Sequence, residues 1–240
     1  MTLEEFLSNL QEGKTKMKAL FLNGSPRKKG WSTITLLENA ARGAQEAGAE
    51  TEIINLYDYT YKGCVSCFAC KIKNSKTNGL CAYKDDLRPI LEKALNSDVV
   101  VVGSPIYFSY PTAQCRAFLE RFLFAAHTYL RDPEHPGTSK RVLDRIIHTA
   151  MVYTMNVPED RLEYYDYDKI LDWNERALKA TFGYSESLYC CDTYQFSNYD
   201  RYDCDVFDKE HKLAHKEAQF PIDCQKAYEL GKRLVEMASN

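Results

Sequence analysis

The sequence lacks any apolar run of the roughly eighteen residues that a helix needs to span a bilayer. It also lacks a strong charge of either sign, since its net charge is −3 over 240 residues. Such a balance gives no electrostatic basis for binding nucleic acid or an acidic membrane surface. Segment 1–13 lacks the basic start and apolar centre of a signal peptide, and its pattern predicts a short amphipathic helix. These absences predict a cytoplasmic protein that binds neither nucleic acid nor membranes.

Two common nucleotide-binding motifs are missing from the first predicted strand-to-helix turn, which runs from Asn23 to Thr33. Gly24 and Gly30 do not fit the G-x-G-x-x-G fingerprint of dinucleotide-binding folds. A P-loop requires Gly-Lys followed by Ser or Thr, but here Trp31 follows Gly30. The chain is therefore predicted to be neither a Rossmann dehydrogenase nor an ATPase.

Strand-like and helix-like segments alternate along the chain, and the β-branched run 98–103 is the strongest strand. Strands are predicted at 17–23, 52–56, 98–103, 146–154 and 187–191, with helices at 33–47, 86–95, 112–130 and 209–238. The last helix is predicted to be interrupted near Pro221. Five parallel strands with helices on both faces predict a flavodoxin-like, doubly wound α/β fold in one domain, 1–240.

Two predicted inserts depart from this regular pattern. One is the cysteine-rich segment 62–84, and the other is the tyrosine-rich segment 158–184, which is predicted to be a surface helix or a subunit contact. His211 and His215 are four residues apart on the last predicted helix, as a metal pair could be. Since no carboxylate–His signature surrounds them, they are predicted to lie on a solvated helix face.

The first turn concentrates groups that bind phosphate. It offers the hydroxyls of Ser25, Ser32 and Thr33, the guanidinium of Arg27, and the backbone N–H groups that begin the next helix. In an open α/β sheet, ligands bind outside the carboxyl ends of the strands, where this turn lies. The turn is predicted to bind a phosphate group; the alternative is a polar loop that only caps the helix.

The exit of the third strand, 103–112, combines two prolines with three aromatic residues. A stiff backbone lined with aromatic faces suits a flat conjugated ligand, although alone it could simply cover the core. Together with a phosphate site after the first strand, it predicts a mononucleotide lying across the sheet edge. In this topology that ligand is most often FMN.

The nine cysteines are many for a cytoplasmic chain, and four of them lie within eighteen positions, at Cys64, Cys67, Cys70 and Cys81. Three cysteines at intervals of three suit an iron–sulfur cluster better than zinc, which usually takes two separated pairs. Zinc and free or redox-active thiols remain alternatives. The flanking lysines are predicted to offset thiolate charge and could lower the thiol pKa values. They are Lys62, Lys71, Lys73 and Lys76.

Four motifs together resemble the NADPH-dependent FMN reductase-like flavoproteins of the flavodoxin-like superfamily. They are Asn23-Gly-Ser-Pro-Arg27, Gly30-Trp-Ser-Thr33, Gly103-Ser-Pro-Ile-Tyr107 and Phe118-Leu-Glu-Arg121. The cysteine cluster narrows the resemblance to the iron–sulfur flavoproteins. One departure is the gap before Cys81. Ten residues intervene here, whereas the gap before the fourth cysteine is shorter in the iron–sulfur flavoproteins that the chain resembles.

The resemblance implies FMN at the strand ends and assembly as a homodimer or homotetramer. It implies that the FMN phosphate is held by Ser25, Arg27, Ser32 and Thr33. It implies that the isoalloxazine ring and ribityl chain are flanked by Pro105, Ile106, Tyr107 and Phe108, with Tyr153-Thr154-Met155 close to the ring. It also implies that the ligands of a 4Fe-4S cluster are Cys64, Cys67, Cys70 and Cys81.

These features predict an FMN-dependent oxidoreductase. Electrons from NAD(P)H or a ferredoxin-like donor would pass through FMN, and through a cluster where one is bound, to an acceptor. No side chain is predicted to act as a catalytic acid or base. The alternatives are a non-enzymatic FMN and iron–sulfur electron carrier, an FMN reductase without a cluster, and a thiol-based redox or metal sensor.

Overall fold

The computed structural model describes residues 16–74, 76–135 and 137–240, so the predicted helix at 1–13 lies outside the described residues. The strands are β1 (Lys18–Asn23), β2 (Glu50–Asn55), β3 (Val99–Tyr107), β4 (Tyr110–Pro111), β5 (Ile147–Thr154) and β6 (Gly183–Cys190). The helices are α1 (Ser32–Glu46), α2 (Leu87–Leu95), α3 (Ala113–Ala126), α4 (Tyr167–Phe182) and α5 (Lys209–Ala238).

The sheet has the strand order β2-β1-β3-β5-β6, and all of these neighbours are parallel. The two-residue strand β4 folds back antiparallel onto the end of β3. The valines at 99–102 in β3 are fully buried, because this central strand is covered on both faces. The order reproduces the flavodoxin-like arrangement, with its switch point between β1 and β3, and confirms the predicted fold class.

Helices cover both faces of the sheet. On one face α1 and α5 pack together, and on the other lie α2, α3 and α4. The first pair is close, since a Cβ atom at Gly231 of α5 would lie 1.9 Å from the carbonyl oxygen of Ala40 in α1. No helix in the described ranges is long and apolar enough to cross a membrane.

The tyrosine-rich segment is largely a regular part of the fold. Helix α4 occupies most of it and buries Leu171, Leu178 and Phe182 against the sheet. The helix then runs directly into β6 at Gly183, so that strand begins four residues before its predicted start at 187. The segment is therefore mainly the crossover helix that joins two parallel strands, as the topology requires.

Two helices also differ from their predicted extents. Helix α5 continues through Pro221 without a break, although proline costs a helix one hydrogen bond. Its second half is held by burial of Leu230, Leu234 and Val235 beside α1, which offsets that loss. Helix α3 ends at Ala126, before the predicted limit at 130.

Candidate functional site

The turn after β1 is clamped against its neighbours by its backbone. The Gly24 N–H donates to the Gly103 carbonyl over 2.7 Å, and the Thr112 hydroxyl donates to the Gly24 carbonyl over 2.6 Å. A Cβ atom at Gly24 would lie 2.9 Å from the Cβ of Cys115. A larger residue would push the turn away from β3 and α3, so glycine is required there by close packing.

Helix α1 begins with its first N–H groups free of a side-chain cap. Trp31 occupies the position before the helix and makes no capping hydrogen bond. Ser25 lies in the preceding turn, where its hydroxyl accepts the Arg27 N–H over 3.1 Å. The hydroxyls of Thr33 and Thr154 are 2.7 Å apart and join α1 to the end of β5. Uncapped N–H groups and nearby hydroxyls are the elements of an anion site at a helix N-terminus.

The Arg27 side chain reaches across the strand ends. Its guanidinium carbon lies 3.9 Å from the centre of the Trp31 ring, and one of its nitrogens donates to the Gln195 carbonyl over 2.6 Å. The side chain is thus held between the first turn and the segment that follows β6. In this position it adds a positive charge to the donors of the turn and of helix α1.

These groups line one cleft at the carboxyl ends of the parallel strands. Its lining residues are Ser25, Arg27, Trp31, Ser32, Thr33, Pro105, Ile106, Tyr107, Thr154, Met155, Asn156, Thr193, Tyr194 and Gln195. Every residue that the sequence assigns to FMN lies in this set except Phe108 and Tyr153. Tyr153 is fully buried, and its hydroxyl donates to the Leu171 carbonyl over 3.3 Å. The structure therefore brings the predicted phosphate and ring residues together, while their roles stay predictions.

Phe108 is turned away from the cleft. Strand β3 continues to Tyr107, and Phe108 and Ser109 form the tight turn to β4 with positive φ angles of 48° and 71°. The Phe108 residue is 98% exposed at this tip. The predicted loop at 103–112 is thus a strand end and a hairpin, and the hairpin directs Phe108 into solvent.

Besides Trp31 in the first turn, four residues of the cleft were missed by the sequence analysis: Asn156, Thr193, Tyr194 and Gln195. They follow the carboxyl ends of β5 and β6, and the Asn156 amide donates to the Gln195 side chain over 3.0 Å. Carboxyl ends of parallel strands meet at one edge, so these segments were in principle recognisable. The predicted end of β6 at 191 lies within one residue of its observed end at Cys190, so the position of these segments was available from the sequence.

The donor set fits a flavin mononucleotide. A guanidinium, three hydroxyls and a helix N-terminus suit its phosphate, and Pro105, Ile106, Tyr107 and Met155 offer apolar surface for its ring. Burial, reinforced by Tyr57, raises the pKa of the Tyr107 phenol, so it stays neutral and able to donate a hydrogen bond. The enclosed volume is about 110 Å³, so a larger ligand would remain partly open to solvent.

The four clustered cysteines line a second, smaller cavity. Cys64, Cys67, Cys70 and Cys81 all border it, together with Arg121 and Phe124 of α3. Cys64 and Cys67 are exposed, whereas Cys70 and Cys81 are partly buried. Cys81 therefore lies beside the other three cysteines despite the ten residues that separate it from Cys70 in the sequence. The enclosed volume is only about 20 Å³, so a four-iron cluster would have to displace the exposed side of the loop.

Helix α3 holds the cysteine segment at both ends. The Glu120 carboxylate accepts the Cys64 N–H over 3.1 Å. Arg121, which is 1% exposed, donates to the Cys81 sulfur over 3.4 Å and forms an ion pair with Asp85. It also donates to the carbonyls of Lys62 and Tyr83, over 3.2 and 3.0 Å. One buried guanidinium thus ties both flanks of the cysteine segment to the core.

The Lys71 ammonium bonds to the C-terminal end of helix α3. It donates to the carbonyls of Phe124 and His127 at the C-terminus of α3, which satisfies groups that the helix leaves unpaired. Burial raises the pKa of the Cys70 thiol, and the nearby Lys71 charge offsets only part of that effect. Lys71 thus lowers the pKa of Cys70 as predicted, but burial outweighs this effect and the net shift is upward.

The sheet order, together with a cleft at the switch point between β1 and β3, defines an α/β protein of the flavodoxin-like class. Residues 17–150 match the family described as NADPH-dependent FMN reductase, and the chain belongs to that family.

Among curated relatives, an iron-sulfur flavoprotein from Archaeoglobus fulgidus is 40% identical over 105 residues, covering 44% of this chain and 48% of the relative. An iron-sulfur flavoprotein from Methanocaldococcus jannaschii is 36% identical over 105 residues, covering 44% and 51%. The chain thus spans about half the length of the curated relatives it matches. The matches agree with the resemblance drawn from the four motifs and the cysteine cluster.

Solved structures show the same fold at low sequence identity. An NAD(P)H:quinone oxidoreductase from Methanothermobacter marburgensis has a TM-score of 0.63 at 15% identity, with 92% of this chain and 98% of that chain covered. An azoreductase from Bacillus anthracis has a TM-score of 0.61 at 13% identity, with 90% and 99% covered. At such identities these neighbours establish the fold only.

Proposed function

We propose that this protein is an FMN-dependent oxidoreductase that takes electrons from NAD(P)H or a ferredoxin-like donor. They pass through FMN and a 4Fe-4S cluster to an acceptor. The observation that carries the proposal is the cleft itself. Phosphate donors from the first turn and α1 face a Pro-Ile-Tyr wall from β3 across one opening at the strand ends. Membership of the FMN reductase family supports the flavin, and similarity to iron-sulfur flavoproteins supports the second centre.

Two groups of residues would bind FMN, one through charge and hydrogen bonds and the other through the shape of its surface. Ser25, Arg27, Ser32 and Thr33 would hold the phosphate, and Pro105, Ile106 and Tyr107 would flank the ring. When bound, FMN would supply electron exchange in ones or twos, which can join a hydride donor to a one-electron centre. The chain itself needs no acid or base for this task. Its part is to bind, to orient, and to leave the cleft edge open to a donor.

The spacing of the four thiols gives no support to a single zinc ion. Zinc–sulfur bonds of about 2.3 Å require ligand sulfurs within roughly 4.6 Å of one another. Among the described residues, Asp192, His211 and His215 form the one group of three or more candidate ligands whose atoms all lie within 4.8 Å. All four cysteines are among the described residues, and no three of their sulfurs meet that limit. Cys64, Cys67, Cys70 and Cys81 are therefore proposed as ligands of a cluster on their sequence spacing and on the similarity to iron-sulfur flavoproteins.

The first experiment is the visible absorption spectrum of protein purified without oxygen. Flavin bands over a broad background that bleaches with dithionite are the expected result. Flavin bands alone would restrict the protein to an FMN reductase with a cysteine-rich loop. A colourless protein that takes up no added FMN would overturn the proposal. Bleaching by NADPH without a partner protein would support the enzyme over a non-enzymatic electron carrier.

A matched pair of variants tests the phosphate site. Arg27→Ala should weaken FMN binding by about 10- to 100-fold, since hydrogen bonds to charged groups contribute about 1.5–3 kcal/mol. Lys28→Ala is the control, because Lys28 is the adjacent cation, lies outside the cleft lining and pairs with Asp58. Fluorescence titration of FMN measures both affinities. Equal affinities in the two variants would remove Arg27 from the site.

We also propose that the protein forms a homodimer or homotetramer. An apolar groove of about 630 Å³ runs between α3, α4 and the cysteine segment, with Phe68, Phe124 and Tyr129 in its lining. Phe68 is 54% exposed and Tyr129 is 71% exposed, which is a large apolar surface to leave in water. Light scattering should give a multiple of the single-chain mass. The mass of one chain at micromolar concentration would contradict this.

A further inference from the structure

Three basic side chains from the first turns of α5 converge on one buried carboxylate. Asp192 follows β6, is 3% exposed and has a positive φ angle of 51°. Its Oδ2 lies 2.9 Å from His211 Nε2 and 3.7 Å from His215 Nδ1. Its Oδ1 forms an ion pair with the buried ammonium of Lys212. The sequence pattern predicts that the two histidines lie on a solvated helix face. Instead, both face the Asp192 carboxylate.

We propose that Asp192, His211 and His215 form a binding site for one Zn²⁺ ion. Asp192 Oδ2 lies 2.9 Å from His211 Nε2 and 3.7 Å from His215 Nδ1, within the roughly 4.4 Å that two bonds of about 2.0–2.2 Å can span. All three ligand atoms lie within 4.8 Å of one another. Two histidines four residues apart on one helix face are a recurrent zinc-ligand arrangement. Imidazole and carboxylate ligands suit zinc among the common divalent ions. A water molecule would complete the coordination.

Lys212 defines the character of the site. It occupies Oδ1 of Asp192 and also donates to the backbone and side-chain oxygens of Asn156. These contacts fix the carboxylate so that Oδ2 faces the histidines, as outer-shell partners do for ligating carboxylates. The positive ammonium also neutralises this carboxylate and repels the zinc ion itself. The site is therefore expected to bind zinc reversibly, more weakly than a four-ligand structural site.

The position of the site connects it to the cleft. Asp192 immediately precedes Thr193, Tyr194 and Gln195, which line the cleft wall, and its own N–H donates to the Val157 carbonyl over 2.9 Å. A metal ion on Asp192 would fasten the start of α5 to this wall. The site is independent of the flavin proposal, because none of its three ligands is assigned to FMN.

The test is zinc binding by the 240-residue chain. Its accessible cysteines are either occupied by the proposed cluster or blocked reversibly by methylthiolation. Equilibrium dialysis against Zn²⁺ should give one site per chain that His211→Ala weakens by about tenfold or more. That estimate is a lower bound, since even outer-shell partners cost 10–100-fold. His211 is 63% exposed in its side chain, so the variant should fold, and circular dichroism checks this.

His135→Ala is the matched control. His135 also pairs with an aspartate, Asp132, over 3.0 Å, but it belongs to no three-ligand group among the described residues. This variant should bind zinc like the unmodified chain, and zinc should raise the melting temperature of both. The proposal is overturned if the unmodified chain binds no zinc beyond its cysteines. It is equally overturned if His211→Ala and His135→Ala bind zinc with the same affinity.

Discussion

Arg121 should be among the costliest single residues to replace outside the apolar core. Its side chain is 1% exposed and faces the Asp85 carboxylate, which is 14% exposed. Arg121→Met keeps much of the volume but leaves Asp85 without its cation and the carbonyls of Lys62 and Tyr83 without their donor. Removing one partner of a buried ion pair costs about 3–5 kcal/mol, because the remaining charge stays buried and unpaired. The free energy of unfolding should fall by that amount.

Urea unfolding followed by circular dichroism measures this loss as a lower midpoint concentration. Arg176→Met is the control, since Arg176 pairs with Asp172 on the exposed surface of α4 with 68% of its side chain accessible. Exposed pairs contribute about 0.2–1 kcal/mol, so the control should lose no more than that. Arg121→Lys should lie between the two, because it restores the charge but not the fork of donors. A loss below about 1 kcal/mol in Arg121→Met would refute the reasoning.

Two further outcomes follow from burial and packing. Burial raises the pKa of the Cys115 thiol to about 12, so it stays protonated at pH 8 and should resist iodoacetamide while exposed Cys64 is alkylated in apo protein. Mass spectrometry of the peptides checks this, and equal labelling rates would contradict it. Gly231→Ala should lower the free energy of unfolding by about 1–3 kcal/mol, because its Cβ would collide with Ala40 of α1. The exposed Glu229→Ala on the same helix should stay within about 0.5 kcal/mol of the unmodified chain.

The central fold could be predicted because its strands carry strong local signals. The valine run of β3 is continuous and β-branched, which is typical of a strand buried on both faces. Strand β6 carries no such signal, since it begins Gly-Tyr-Ser-Glu-Ser at the edge of the sheet. Its position depends on pairing with β5, a long-range contact that local pattern does not encode. The start of that strand was accordingly misplaced.

The residues of the candidate cleft also divide into those that the sequence could predict and those that it could not. The phosphate donors of the first turn are contiguous in sequence, so their shared position could be read directly. Phe108 could not be placed, because a tight turn with positive φ at two non-glycine residues has no clear sequence signature. The partner of His211 and His215 was hidden for another reason. Asp192 lies 19 residues before His211, and only the packing of α5 beside the end of β6 brings them together.

Helix α3 joins the two candidate sites into one rigid unit. Its N-terminal Thr112 holds the Gly24 carbonyl in the first turn, and Arg121, nine residues later, holds the cysteine segment. That separation is about 14 Å along the helix axis, at 1.5 Å per residue. A fixed separation would suit electron transfer between the proposed FMN and the proposed cluster, since neither would need to move. The arrangement also makes the two proposed sites separable: with the proposed cluster bound, Arg121→Met should release iron from the cysteine segment while FMN affinity changes little. Loss of both together would mean that α3 itself unfolds when Arg121 is replaced.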